Sequence, residues 1–459
     1  MAATSVANWS LYPVAQADIR SVRNDADLRT ALQTTEACIP RGLGRCYGDA
    51  ALSSTIIQMT RLNRFLDFDE ATGTLTCEAG VSFADILKVF VPRGWFLPVT
   101  PGTKFVTVGG AMASDVHGKN HHAAGSFSQH VEAFDLMLPD GEVVTCTRAE
   151  HADLFAATLG GMGLTGIILR ATFRLIPVES AFIRQETVKA RNLVEIMHLF
   201  EASQDWTYSV AWIDCLARGR KRGRSIMMRG EHATVADLVN TRWVDSPLTL
   251  PSKRKLTVPF ALPSFTLNPW TVRAFNMAYY GKAPQGTHAS IIDYDTFFYP
   301  LDSILHWNRI YGKRGFVQHQ FVLPKDMSRS GLTQILDRIA AAGHGSFLAV
   351  LKLFGQQNDL IAFPKEGYTL ALDFPIRPGL FDFLDALDRI VLDHGGRLYL
   401  TKDARMAKAT FWQSYANADR FATLKQRIDP ASRLRSLQSD RLGLTSDEAP
   451  RNVSLSEAA

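Results

Sequence analysis

The stretch 97–122, LPVTPGTKFVTVGGAMASDVHGKNHH, constrains this chain more than any other. A Pro-Gly turn (Pro101, Gly102) leads into a β-type run over 105–109, which ends in Gly109-Gly110. Small residues follow (Ala111, Ala113, Ser114), then a dense polar run: Asp115, His117, Lys119, Asn120, His121 and His122. Glycines and alanines let main chain approach a ligand closely and leave its N–H groups free to donate. A backbone-lined trough that runs into histidines and a lysine suits a large anionic cofactor with chemistry at one end.

The 459 residues allow two or three domains and a well-buried core. Hydrophobic residues make up 46% and charged residues 21%, ordinary for a globular protein, and no apolar run is long enough to span a bilayer. The start, MAATSVANWSLYPVAQ, has neither a basic segment nor an apolar core, so no signal peptide is expected. The five cysteines (Cys38, Cys46, Cys77, Cys146, Cys215) form no CxxC pair and no disulfide pattern, which points to a reducing, cytoplasmic setting. A net charge of +5 is mild and does not argue for nucleic acid.

A helix is expected over 25–34. Then comes CIPRGLGRCYGDAAL (38–52), read as a tight loop after a short strand. Gly42, Gly44 and Gly48 alternate there with Arg41, Arg45 and Tyr47, and Asp49 closes the run. Backbone amides and two guanidiniums are thus available to a diphosphate. Strands are expected over 55–59 and 74–79, a helix over 83–91, a hairpin around Asp140-Gly141 within 134–147, and a helix over 150–159. GGMGLTG (160–166) formally contains GxGxxG, but it follows a helix and opens a strand (167–176). That is the reverse of a dinucleotide-binding Rossmann turn, so it is read only as close backbone approach to a ligand.

From about residue 178 the chain is richer in aromatics. Strands over 206–214, 316–322, 346–353 and 368–374, with helices over 193–202, 330–342 and 380–394, describe antiparallel strands with helices on one face. Two segments stand apart. ARGRKRGRSIMMR (217–229) packs six basic residues into thirteen. The segment 245–274 carries five prolines, the triplet Lys253-Arg254-Lys255, and Phe260, Phe265 and Trp270. Basic clusters beside aromatics suit an anionic membrane surface; a solvated basic loop is the plain alternative. No nucleic-acid motif accompanies them. GRLYLTK (396–402) reads as a strand, and the chain from about 445 as a disordered tail.

The order RGLGRCYGD, PGT…TVGGA, GGMGLTG before a strand, then an inserted sheet, resembles the flavin-dependent oxidases of the vanillyl-alcohol oxidase superfamily. DVHGKNHHAAGSF, AWIDC, FVQHQFVLP, KLFG, DFPI and GRLYLTKDAR narrow the resemblance to the decaprenylphosphoryl-ribose 2-oxidase family, over about residues 8–442. The resemblance implies an α+β fold. A PCMH-type FAD-binding domain (8–178) would be followed by an antiparallel-sheet substrate domain (179–395) carrying the loops 217–229 and 245–274. The C-terminal segment 396–444 would return to the FAD domain, with a disordered tail over 445–459.

The same resemblance implies FAD held without a covalent link, because Arg45 stands where covalently flavinylated members carry a histidine. Arg41, Gly42, Leu43, Gly44, Arg45, Cys46, Tyr47, Gly48 and Asp49 would cradle its diphosphate. Gly102, Thr107, Val108, Gly109, Gly110, Ser114, Asp115, Val116 and His117 would line the flavin and ribityl chain, with Ile168 and Tyr399 closing over the cofactor. Lys119, Gln318, Gln320, Lys352, Asp373 and Lys402 would face the substrate. Ala371 and Thr369 replace a family cysteine and asparagine. The implied reaction is oxidation of the 2′-hydroxyl of a polyprenyl-phosphoryl-ribose, a first half of epimerisation to the arabinose donor for cell-envelope glycans. A separate NAD(P)H-dependent reductase and a peripheral membrane surface are the implied partners. A soluble alditol or aldonolactone oxidase and a non-catalytic membrane scaffold are the alternatives.

Such an oxidation needs a base for the hydroxyl proton and a group that holds developing charge. Lys402 is the first candidate, as a base if burial lowers its pKa or as a cation that stabilises charge, and His117 is the second. His117, His121 and His122 lack the supporting pattern of a metal site, so no metal is expected.

Overall fold

A computed structural model describes residues 3–263, 265–357 and 360–445. Two sheets carry the first third. Thr4–Ala7, Val14–Ser21, Thr55–Gln58 and Ile39–Arg41 form one, in that order. Phe65–Asp69, Thr74–Glu78, Ile167–Arg174, Val131–Met137 and Val143–Thr147 form the other. The Asp140-Gly141 turn joins the last two strands, with Gly141 at a φ of 92° that glycine adopts without strain. Regular structure begins at Thr4, ahead of the boundary expected at residue 8, and Ala7 C=O accepts a hydrogen bond from Arg41 Nη2 at 2.9 Å.

The β-type run expected over 105–109 is instead the entry to a helix, Val108–Ala113. Thr107 is its N-cap, and its Oγ1 accepts from Gly110 N at 3.2 Å. Val108 N and Gly109 N donate to Val81 and Ala79 carbonyls, each at 2.8 Å. These amides are therefore not free for a ligand, as the glycine pattern suggested. Gly109 is needed for packing: a Cβ there would lie 2.9 Å from that of Ala79.

The second part is an eight-stranded antiparallel sheet. Its order is Thr287–Asp293, Phe182–Ala190, Ser225–His232, Tyr208–Ile213, Ala349–Phe354, Gly367–Pro375, Phe316–Pro324 and Arg397–Leu398. Helices Leu193–Glu201, Lys325–Ala342 and Leu380–Asp393 cover one face. Strand alternation decides which residues reach the other face. Along Phe316–Pro324, Gln318 and Gln320 face a cavity, while His319 between them turns to the helices and contacts Asp388 at 2.9 Å. Because Arg397–Leu398 is the sheet's edge strand, the expected boundary at 395 cuts through one sheet.

Only the first part of the segment 217–229 is a loop: 217–224 join Tyr208–Ile213 to Ser225–His232, with Arg218, Arg220 and Lys221 exposed. Its end enters the strand Ser225–His232, inside the sheet, and most of its charges have partners. Arg222 pairs with Asp337 at 2.6 Å, Arg224 with Asp214 at 2.7 Å and Arg229 with Glu186 at 2.6 Å. By contrast, Leu256, Phe260, Phe265 and Trp270 in the proline-bearing segment are exposed. Among the described residues no helix is long and apolar enough to cross a membrane.

The C-terminal segment returns to the start of the chain. Cys38 N donates to Arg433 C=O at 2.7 Å, Arg435 N to Cys38 C=O at 3.0 Å, and Tyr47 N to Thr401 C=O at 2.9 Å. Arg441 joins two buried carboxylates, Asp49 at 2.8 Å and Asp403 at 2.7 Å. Thr445 is buried and bonded to Ser439 and Asp440, so the expected disordered tail does not begin there; 446–459 lie outside the described residues. Removing one partner from a buried charge network costs about 3–5 kcal/mol. Arg441→Met is therefore expected to lower stability by about 3 kcal/mol in urea unfolding, because it strands both carboxylates; a loss below about 0.5 kcal/mol, the range of a neutral surface change, would contradict that role.

Candidate active site

A cavity of about 660 Å³ lies between the N-terminal loops and the open face of the large sheet. The first loop supplies Arg41, Gly42, Leu43, Gly44, Arg45, Cys46 and Tyr47. Among the described residues, the amides of Leu43, Gly44 and Arg45 donate to no protein acceptor, and Gly44 sits at a φ of 63° that turns the loop. This is an anion-binding concavity. Arg41 is held by Ala7 C=O and by Asn8 Oδ1 at 3.2 Å, and the Arg45 guanidinium lies 4.0 Å over the Trp9 ring. Gly102, Thr107, Gly109, Gly110, Ser114, Val116 and Ile168 line the next part of the wall. From the far end of the chain Tyr399 reaches back, its hydroxyl donating to Ser114 C=O at 2.7 Å and its ring stacked on Phe363.

The polar end gathers His117, Lys119, Gln318, Gln320, Lys352 and Lys402. Gln320 Nε2 lies 3.0 Å from His117 Nε2, and among the described residues His117 Nδ1 is buried with no partner. With the amide donating to Nε2, the ring proton sits on Nδ1. Burial, then the charge of Lys352, hold His117 well below the ordinary imidazole range, so the ring is neutral.

Lys402 rests 3.7 Å over the Tyr47 ring. Burial pulls its ammonium down to about 7; Asp373 opposes this and Lys352 adds to it. Burial alone brings Lys352 down to about 8. Burial, then Lys352, bring Lys119 to about 7, with its Nζ held by Phe297 C=O.

Five expected contact residues do not line the cavity. Gly48 lies behind it, packed so tightly that a Cβ would sit 1.5 Å from Asp403 C=O. Asp49 is engaged by Arg441, and Val108 is fully buried in the core. Asp115 accepts from Ser126 Oγ at 2.7 Å and Ser128 N at 3.1 Å, which fixes the turn ahead of His117. Asp373 accepts from Gln318 Nε2 at 2.5 Å and Tyr311 hydroxyl at 3.2 Å; burial pushes its carboxyl up. It orients Gln318 and acts on Lys402 through its charge. His121 and His122 are held in place, His121 by Gln357 and Gly355 N, His122 by Trp206 C=O.

Trp9, Asp302, Phe297 and Tyr279, also in the cavity wall, carry no local sequence signal. The AWIDC string contains Trp212, and alternation along that strand turns it to the cavity side.

The residues present fit FAD. Free amides and a stacked guanidinium suit a diphosphate, and His117 lines the polar end beside Gln320. A family model described as an FAD binding domain matches residues 20–147. The chain is 40% identical over 423 residues to decaprenylphosphoryl-beta-D-ribose oxidase of Mycolicibacterium smegmatis, covering 91% of each chain. It is 33% identical over 371 residues to an uncharacterized protein in the mprA 5′ region of Streptomyces coelicolor, covering 78% of this chain and 99% of that one. Delta(24)-sterol reductase of Rattus norvegicus is 30% identical over 142 residues, covering 31% and 27%.

Fold and cavity together define an FAD-dependent oxidoreductase. Within that class, the chain belongs to the decaprenylphosphoryl-β-D-ribose oxidase family.

Gly48→Ala forces the first loop off Asp403, so FAD retention on gel filtration is expected to fall by at least about tenfold, the equivalent of 1.4 kcal/mol. Wild-type retention would show that the two chain ends need not touch here.

Proposed function

We propose that this chain oxidises the 2′-hydroxyl of a polyprenyl-phosphoryl-ribose to the 2-keto sugar, with FAD bound without a covalent link. The observation that carries this reading is the polar end itself. Lys402, Lys352 and Lys119 converge on one cavity, and among the described residues neither Lys402 nor Lys352 has a hydrogen-bonded or ion-paired carboxylate. Buried ammonium groups left without a counter-ion are costly unless a ligand supplies the anion. A phosphodiester-linked sugar supplies it. Arg45, a guanidinium stacked on Trp9, offers no nucleophile for a flavin bond.

A bound FAD would supply the hydride acceptor for the carbinol carbon. Lys402 in its amine form takes the hydroxyl proton. His117 and Gln320 hold one edge of the site, while Gln318, oriented by Asp373, and Lys352 supply donors for sugar hydroxyls and phosphate. The 2-keto product then passes to a separate NAD(P)H-dependent reductase. Exposed Phe260, Phe265 and Trp270, beside Arg254 and Lys255, favour contact with an anionic membrane surface where such a lipid resides.

Anaerobic bleaching of the flavin by a prenyl-phosphoryl ribose, and none by free alditols, is expected; bleaching by alditols alone would refute the assignment. A positioned base contributes about 10²–10⁴-fold. Lys402→Ala should therefore keep its FAD and lose about 10²–10⁴ in substrate-driven flavin reduction; an unchanged rate removes Lys402 from the reaction.

The amine form grows as pH rises through the lysine's pKa, so wild-type reduction at saturating substrate should rise through about pH 7 and then level off, while the substrate needed for saturation should increase as Lys119 and Lys352 lose their charge between about pH 7 and 8. His117, neutral throughout that range, adds no inflection there. A rate that falls through pH 7 would instead make Lys402 a cationic stabiliser. Sedimentation with anionic vesicles should fall in Phe265→Ser and Trp270→Ser; equal sedimentation would place the membrane contact elsewhere.

A further inference from the structure

The cavity does not stop at its polar end. The strand pairings set Gln320 opposite Ala371, Ala371 opposite Val350, and Val350 opposite Trp212. These four residues form one transverse row over four neighbouring strands, and all four line the cavity. Three strand spacings make the row about 14 Å long. It grades from an amide beside His117 to an indole. Beside it the wall is largely apolar: Val210, on the same strand as Trp212, pairs with Met228 on the next, and Ile292 lies further along the sheet, while the polar Gln185 and Thr296 are bonded to Thr187 and Asp293.

Helix Pro269–Lys282 roofs the far end. Tyr279 meets Trp212 edge-on at 4.9 Å, while Trp270 and Met277 on the helix's other side are exposed. Lys352 stands two residues after Val350 on the same face of the same strand. An anionic head at Lys352 would thus leave any attached chain to run past Val350 towards Trp212.

We infer that this apolar arm is a subsite for the first isoprene units of the substrate's lipid. The phosphate lies at Lys352, and the chain leaves the protein beneath helix Pro269–Lys282, beside the exposed Trp270 and Met277. The inference deepens the proposed function and rests on it for the identity of the lipid. The polarity gradient along one register row is its physical basis: a chain without hydrogen-bonding groups leaves no polar partner unpaired in this arm, whereas a free sugar would.

The test uses the FAD-loaded full chain and two probes without a sugar, farnesyl phosphate and dimethylallyl phosphate, titrated calorimetrically below micelle formation. Burial of only part of the added hydrocarbon is enough for at least about a tenfold tighter binding of the longer probe. In Val350→Asn and Met228→Asn that preference should fall towards one, with affinity for dimethylallyl phosphate unchanged. If one variant does not load FAD, the other carries the test. Equal affinity of the wild type for both probes would overturn the subsite. So would a preference that survives in both variants, or one that is lost only in Trp270→Ser, which would put the chain on the outer surface. Because no ribose is present, these outcomes are separate from the bleaching assay that decides the oxidation.

Discussion

The site depends on Lys402 lying on the ring of Tyr47. The two residues come from opposite ends of the chain, and their contact is possible only because the segment after the large sheet folds back over the first loop. Tyr47 N on Thr401 C=O, Gly48 against Asp403 C=O and Arg441 between Asp49 and Asp403 hold that closure from three sides. The cofactor end and the substrate end are therefore not separable modules. The loop proposed to cradle the diphosphate also supplies the surface on which the proposed proton acceptor, Lys402, sits.

That closure sets the electrostatics. Water is removed from three lysines near one another, so burial pulls all three ammonium groups down, and they lower one another further where they are close. Asp373 is near enough to restrain Lys402, yet it is committed to Gln318 and Tyr311. The result is a cavity with cationic capacity and little internal neutralisation. Its remaining acceptor demand matches a phosphate, and Lys402, the lysine that rests on Tyr47, matches an alcohol proton.

Much of this was legible in the sequence where local rules govern. The hairpin at Asp140-Gly141, the loop RGLGRCYGD after a short strand, and the alternation that aims Gln318 and Gln320 into the cavity all follow from turn chemistry and period two. The resemblance drew Tyr399 to the cofactor and Lys402 to the substrate, which no local pattern could do. Other features rest on partners far along the chain. Arg441 and Asp49 are 392 residues apart, and nothing near either marks the pair. The run before Gly109-Gly110 has strand composition, but Thr107 caps a helix because Val81 and Ala79 carbonyls take the next two amides. In the basic segment 217–229, the ion pairs of Arg222 and Arg229 were not legible because Asp337 and Glu186 lie far along the chain. The edge strand Thr287–Asp293 and its neighbour Phe182–Ala190 were not marked because polar residues interrupt both and one face meets solvent.

The central claim, that closure of the chain ends desolvates Lys402, is tested most directly by its own titration. Nitrogen-15 NMR of lysine side chains in the FAD-loaded protein, with the signal assigned by its loss in Lys402→Arg, should show the Lys402 amine titrating at about 7. A signal that remains an ammonium up to the ordinary lysine value of about 10.4 would contradict it.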